Sequence, residues 1–145
     1  MNLREAHISD TAGITKLCWQ LGYEIEEHIV EENLTKLIGK EDNAIYIMEA
    51  EDDKIIGWVH VYCKHLLETE SFAEIGGLIV DQGVRRLGIG ERLMKRCEEW
   101  SVQEGYGTLR LRSSNSRTEA HQFYENIGYS NVKSQKVFEK KLNNQ

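Results

Sequence analysis

The chain has 145 residues and a formal net charge of −6, which suits one domain spanning residues 1–145 and burying roughly two-thirds of its unfolded surface. The acidic balance argues against a nucleic-acid partner, because phosphate contacts need a basic face and the only dense basic cluster is Arg85, Arg86, Arg92, Lys95 and Arg96. Three widely spaced cysteines, Cys18, Cys63 and Cys97, outline neither a disulfide framework nor a Cys-x-x-Cys site; with no signal-peptide pattern and no apolar run of membrane length, a soluble cytoplasmic protein is expected.

Proline is absent, so Gly, Asn and Asp punctuate the elements. Asn2 to Ala6 reads as a first strand. Ser9 or Asp10 can cap a helix with Ile14, Leu17, Cys18 and Leu21 on one face and Gly22 as its stop. A second helix carries Ile25, Ile29, Leu34, Leu37 and Ile38, ends near Gly39, and gathers Glu24, Glu26, Glu27, Glu31 and Glu32 around its start. Ala44 to Ala50 and Lys54 to Cys63, rich in Ile, Val, Tyr and Trp, form a hairpin about the polar turn Glu51-Asp52-Asp53.

After a loop from Lys64 to Ser71, Phe72 to Val80 is a strand. A Gly- and Arg-bearing turn, Gly83 to Gly90, leads into a helix with Ile89, Leu93, Cys97 and Trp100 at helical spacing, stopping near Gly105. Thr108 to Ser113 alternates Leu109 and Leu111 against Arg110 and Arg112, the pattern of a half-buried strand. Ser116 and Glu119 have capping-box spacing ahead of a helix that aligns Ala120, Phe123, Tyr124 and Ile127 before Gly128. Tyr129 to Leu142, with Val132, Val137 and Phe138, reads as one or two final strands. The order predicts an α/β (α+β) domain: a mixed, mostly antiparallel central sheet flanked by helices.

The turn before the helix at Ile89 has a chemical use. Glycines let backbone approach a ligand closely, and the first helical N–H groups have no intrahelical partner, so phosphate oxygens are natural occupants. Arg85 and Arg86 add formal charge. The run lacks the Gly-x-x-x-x-Gly-Lys-Ser/Thr of a nucleotide loop, and Leu93 stands where a dinucleotide fingerprint has its third glycine. What it does contain is Arg85-Arg86-Leu87-Gly88-Ile89-Gly90 after a strand ending Leu78-Ile79-Val80, which resembles the pyrophosphate motif of the GNAT superfamily of acetyl-coenzyme A-dependent N-acetyltransferases. A second stretch, Asn115 followed by Ala120-His121-Gln122-Phe123-Tyr124 and closing on Gly128-Tyr129, resembles the helix that lines the pantetheine and thiol in that family. With the element order, the resemblance spans essentially the whole chain. Two positions depart from the pattern: Gln82 replaces the usual proline, and Arg86 a frequent glycine.

The resemblance implies a GNAT fold and acetyl-coenzyme A as co-substrate, held by Leu78, Ile79, Val80, Arg85, Arg86, Leu87, Gly88, Ile89, Gly90, Glu91, Asn115, Ala120 and Tyr124. It also implies a backbone N–H near Ile79 or Val80 polarising the thioester carbonyl, and Tyr124 as the acid that protonates the departing thiolate. Glu74 lies six residues before Val80, and strict alternation would set it on the face of Gly76, Leu78 and Val80 as the base, acting directly or through a water. Trp19, Tyr23, Glu24 and His60 are candidates for the acceptor side, where acidic residues suit a cationic amine. The histidines have no metal-ligand spacing, and Cys63 and Cys97 read as small core residues. No metal, nucleic acid or membrane partner is expected, and domains of this size in the family often pair as homodimers. The acceptor stays open between a small molecule (aminoglycoside, polyamine or amino acid derivative) and a protein or peptide amine. A non-catalytic acyl-coenzyme A-binding module and a transferase of longer acyl chains are the alternatives.

Overall fold

The computed structural model describes residues 1–85 and 87–143. Residues 1–111 form one compact unit and the chain from 112 onward a second. In the first unit, β1 (Asn2–Glu5), β2 (Asn43–Glu49), β3 (Ile55–Lys64), β4 (Phe72–Val80) and β5 (Leu109–Arg110) make one sheet in that order. The first three pairings are antiparallel and β4–β5 is parallel. Short connections join β2 to β3 and β3 to β4, β1 reaches β2 only after two helices, and the parallel β4–β5 pair needs a crossover, supplied by the helix α3 (Ile89–Gln103). The β2–β3 turn closes as its sequence suggests: Asp53 takes a left-handed φ of 64° and the Lys54 amide donates to Asp52 Oδ1 at 3.2 Å.

Each face of the sheet has its own core. On one, α1 (Thr11–Gln20) and α2 (Glu27–Leu37) set Ile14, Leu17, Cys18, Val30 and Leu34 against Ile45, Ile47 and Ile79, with Trp58 packed alongside. On the other, Ile89, Leu93, Met94 and Cys97 of α3 cover the side bearing Tyr46, Met48, Val59 and Val61. The helix comes close because β3 offers no side chain at Gly57, where an added methyl would lie 3.1 Å from Ile89 Cγ2. Asp10 anchors the start of α1, accepting from Arg4 at 2.8 and 2.9 Å and from the His7 amide at 2.7 Å.

Strict alternation fails in β4. His60 pairs with Gly77 but Val61 pairs with Ile75, so Gly76 is an extra residue, a β-bulge. The inserted residue reverses the facing of everything before it. Glu74 pairs with Tyr62 and therefore shares the α1/α2 side with His60, Trp58 and Ile79, not the side of Leu78 and Val80. A second departure is the length of β5. Instead of running from Thr108 to Ser113 it meets β4 only at Ala73↔Leu109 and Glu74↔Arg110 and ends there.

In the second unit, α4 (Thr118–Asn126) forms where expected but without the Ser116–Glu119 capping box. Its N-cap is Arg117, because Ser116 Oγ is 3.0 Å from Ser114 Oγ and so is engaged elsewhere. Gly128 ends the helix with a φ of 102°. Beyond it, the described residues 129–143 contain no strand. Val132, Val137, Phe138 and Leu142 are exposed there, and apolar residues without a buried face do not enforce pairing.

Candidate active site

The turn between β4 and α3 is built by Asp81. Its buried carboxylate accepts from the Gly83 amide at 2.8 Å, the main reason its pKa falls below the usual carboxylate range, with Lys54 at 3.6 Å. That bond closes the turn without the proline that Gln82 replaces; the Gln82 amide itself donates to Gln20 Oε1 at 3.2 Å. Gly88 then adopts a φ of 74°, left-handed backbone that favours glycine, and α3 begins at Ile89 with no side chain capping its first turn. The amides of Ile89, Gly90 and Glu91 are thus available to an anion, with Arg85 exposed beside them. Leu87 is exposed and Ile89 is buried beneath, anchoring the loop. Arg86 lies outside the described residues. One member of the basic cluster is diverted: the Arg96 guanidinium sits 4.5 Å from the centroid of the Tyr46 ring and near Glu99, so it serves packing.

From this cradle β4 runs back toward the bulge. Since β5 pairs only with Ala73 and Glu74, it leaves the β4 backbone from Ile75 to Val80, including Leu78 and Ile79, without a β5 partner. A strand edge of this kind presents alternating N–H and C=O groups to any extended amide-bearing chain.

Around the bulge, four polar side chains gather on the α1/α2 side. Glu74 is buried, and its Oε2 accepts from the Tyr62 hydroxyl and from Lys64 Nζ at 3.3 Å. Tyr62 shares the face of β3 on which sequence reasoning already placed His60, whereas Lys64 is the functional candidate that it missed. Once Glu74 is read as opposite Tyr62, the hairpin register would have found it. His60 lies beside Tyr62, ring centroids 5.8 Å apart, and packs on the bulge, where a methyl at Gly76 would come within 2.9 Å of its Nδ1. Burial pushes the His60 imidazole below its ordinary range, so it is neutral at pH 7, and its buried Nε2 has no hydrogen-bond partner among the described residues.

Trp19, in the last turn of α1, and Tyr23 and Glu24, in the connection to α2, are exposed on this same side of the sheet. Trp19 Nε1 donates to the Ile25 carbonyl at 2.8 Å, which tethers the connection. Glu24 precedes α2, whose first turn holds Glu27 instead.

Within the second unit, Tyr124 packs edge-on against Phe123 and Tyr129, centroids 5.1 and 6.2 Å away, and the Tyr129 amide donates to the Tyr124 carbonyl at 2.9 Å. Burial raises its phenol pKa, only partly offset by Arg117, so the hydroxyl keeps its proton at neutral pH. Asn115 is exposed in the turn before α4 and Ala120 is half-buried on the helix. His121 fastens that turn, its Nε2 lying 2.8 Å from the Ser114 carbonyl.

The model of the acetyltransferase (GNAT) family matches residues 10–129. Among solved structures, a GNAT family acetyltransferase from Staphylococcus aureus shares 26% identity, covering 97% of this chain and 98% of that one with a TM-score of 0.74. Two more distant structures share the fold: the apo aminoglycoside antibiotic 6'-N-acetyltransferase AAC(6')-IG from Acinetobacter haemolyticus, at 16% identity, 99% and 100% coverage and a TM-score of 0.83, and the aminoglycoside N-acetyltransferase AAC(6')-Iy in complex with CoA, at 14% identity, 96% and 93% coverage and a TM-score of 0.86. A search of curated proteins found no match. The family match over most of the chain, on a five-stranded mixed sheet with the α3 cradle, has one meaning: the chain belongs to the GNAT acetyltransferase family.

Proposed function

We propose that this protein transfers the acetyl group of acetyl-coenzyme A to the primary amine of a small cationic molecule, directly and within a ternary complex. The observation that carries the reading is the early end of the β4–β5 pairing beside an uncapped α3 N-terminus. Pyrophosphate at the amides of Ile89 to Glu91, with Arg85, and pantetheine along Leu78, Ile79 and Val80 would use the two sets of backbone groups that the fold leaves over. A free N–H of β4 would then polarise the thioester carbonyl.

The amine must lose a proton before it attacks, and the leaving thiolate must gain one. Glu74, held by Tyr62 and Lys64, is the proposed proton acceptor, directly or through a water, with neutral His60 lining the path. Tyr124, protonated at neutral pH, is the proposed acid, and Asn115 and Ala120 are proposed as pantetheine contacts by their place in the motif. The exposed carboxylates of Glu24, Glu26 and Glu27, beside Trp19 and Tyr23, support a cationic acceptor. That AAC(6')-IG and AAC(6')-Iy are aminoglycoside acetyltransferases supports an amino sugar as the first class to try.

The test is titration calorimetry with acetyl-coenzyme A, run beside an Arg85→Ala/Gly88→Trp variant. Binding lost in the variant is the expected result. Thiol release across a panel of aminoglycosides, polyamines and peptides then identifies the acceptor, with Tyr124→Phe expected to lower kcat about a hundredfold or more. Absence of binding to the intact protein would refute the co-substrate. Binding without turnover on any amine would favour an acyl-coenzyme A-binding module.

A further inference from the structure

The loop end of the β3–β4 hairpin carries a group of side chains that no step above uses. Cys63 ends the alternation of β3 and is partly exposed, not the core residue its sequence context suggests. His65 is two residues on, at the spacing that returns a side chain to the same face of an extended chain. The register Lys64↔Phe72 brings Ser71 opposite His65 across the hairpin. As a result Cys63 Sγ lies 3.0 Å from His65 Nε2, and His65 Nδ1 is hydrogen-bonded to Ser71 Oγ. An Nδ1–H donated to Ser71 leaves Nε2 as the acceptor facing the thiol, the arrangement in which an imidazole acts as base toward sulfur.

We propose that Cys63 is a reactive thiol that forms mixed disulfides with low-molecular-weight disulfides, with His65 as its base and Ser71 orienting the ring. His65 Nε2 takes the thiol proton, and the Cys63 sulfur attacks one sulfur of the disulfide. The Cys63–S bond forms as the disulfide bond breaks, and the departing thiolate takes up the proton; Cys63 is oxidised and the leaving half reduced. Cys18 and Cys97 are buried, so the reaction is confined to one of three thiols. Adduct formation removes the sulfur from His65 and so loosens the 65–71 loop, one rung from the Tyr62–Glu74 pair.

The full chain is mixed with 4,4'-dithiodipyridine and thiopyridone release is followed by stopped flow, in the parent protein and in Cys63→Ser, His65→Gln and Ser71→Ala. One fast equivalent is expected in the parent protein and none in Cys63→Ser. His65→Gln should slow it at least about threefold at pH 7, the difference closing by pH 10, where solvent hydroxide removes the thiol proton without a base on the protein. Should His65→Gln fail to fold by circular dichroism, Ser71→Ala carries the same comparison, because it releases the ring orientation. No fast equivalent, no slowing at pH 7, or a difference that persists undiminished at pH 10 would overturn the proposal, the last because it reports access and not proton removal.

Discussion

Gly77→Ala tests whether the bulge in β4 is read correctly. A methyl at this position would lie 2.8 Å from Cη2 and 3.1 Å from Cζ3 of Trp58, closer than side chains tolerate, and an indole in the α1/α2 core has little room to yield. The backbone is not the obstacle, since Gly77 is not among the glycines of positive φ. Overpacking of this kind costs about 1–3 kcal/mol. Loss of chain entropy in the unfolded state returns about 0.4–1 kcal/mol. The net expectation is a destabilisation of about 0.5–2 kcal/mol, a drop of roughly 2–6 °C in Tm for a chain of this size. Trp58→Phe removes the ring atoms that clash, so in that background Gly77→Ala should be neutral within about 0.5 kcal/mol or stabilising. Urea denaturation of the four proteins closes the cycle. An equal cost of Gly77→Ala in both backgrounds would refute the placement of Gly77 under Trp58, and with it the register that faces Glu74 toward His60.

Glu74→Gln should lower kcat/KM about a hundredfold while leaving acetyl-coenzyme A affinity by calorimetry within twofold; unchanged turnover would remove Glu74 as base. For Asp10, burial alone would raise the carboxyl pKa, but Arg4 and the His7 amide outweigh it and hold the group below its usual range. Its contribution is therefore present above about pH 3.9 and lost as pH falls through the lower native value. Asp10→Asn is expected to cost about 1–3 kcal/mol at pH 7, with the difference from the parent protein shrinking by pH 3 in the same denaturation assay. His60 has the opposite sense. Burial depresses its native pKa, so the unfolded chain binds the proton first, and stability falls as pH drops below about 6.5. His60→Gln should flatten the stability profile between pH 7 and pH 5, and an unchanged slope would show that His60 is not the group responsible.

Local signals carried much of this protein. Phe72–Val80 has the predicted strand boundaries, the Glu51-Asp52-Asp53 turn closes a hairpin, and Ile89, Leu93 and Cys97 form the buried face of α3. These features rest on periodicity and turn chemistry within a few residues, as does the turn at Gly88, where glycine freedom and a helix start coincide. Errors arose where a local pattern had competitors or needed a distant partner. Ser116 had a nearer hydroxyl in Ser114 than the amides it was expected to cap, and the apolar residues of 129–142 had no buried face to enforce pairing.

The sequence by itself determined the element order, the two motifs and the residue types available for acid–base work, because each is written in neighbouring residues. Only the tertiary structure decided which of those residues meet. The bulge at Gly76 exists because β4 must match β3 on both sides of it, a constraint between strands, and one inserted residue turned Glu74 toward Tyr62, Lys64 and the face of His60. The Cys63–His65–Ser71 group likewise depends on hairpin register, since a pairing shifted by one residue would send Ser71 to the opposite face.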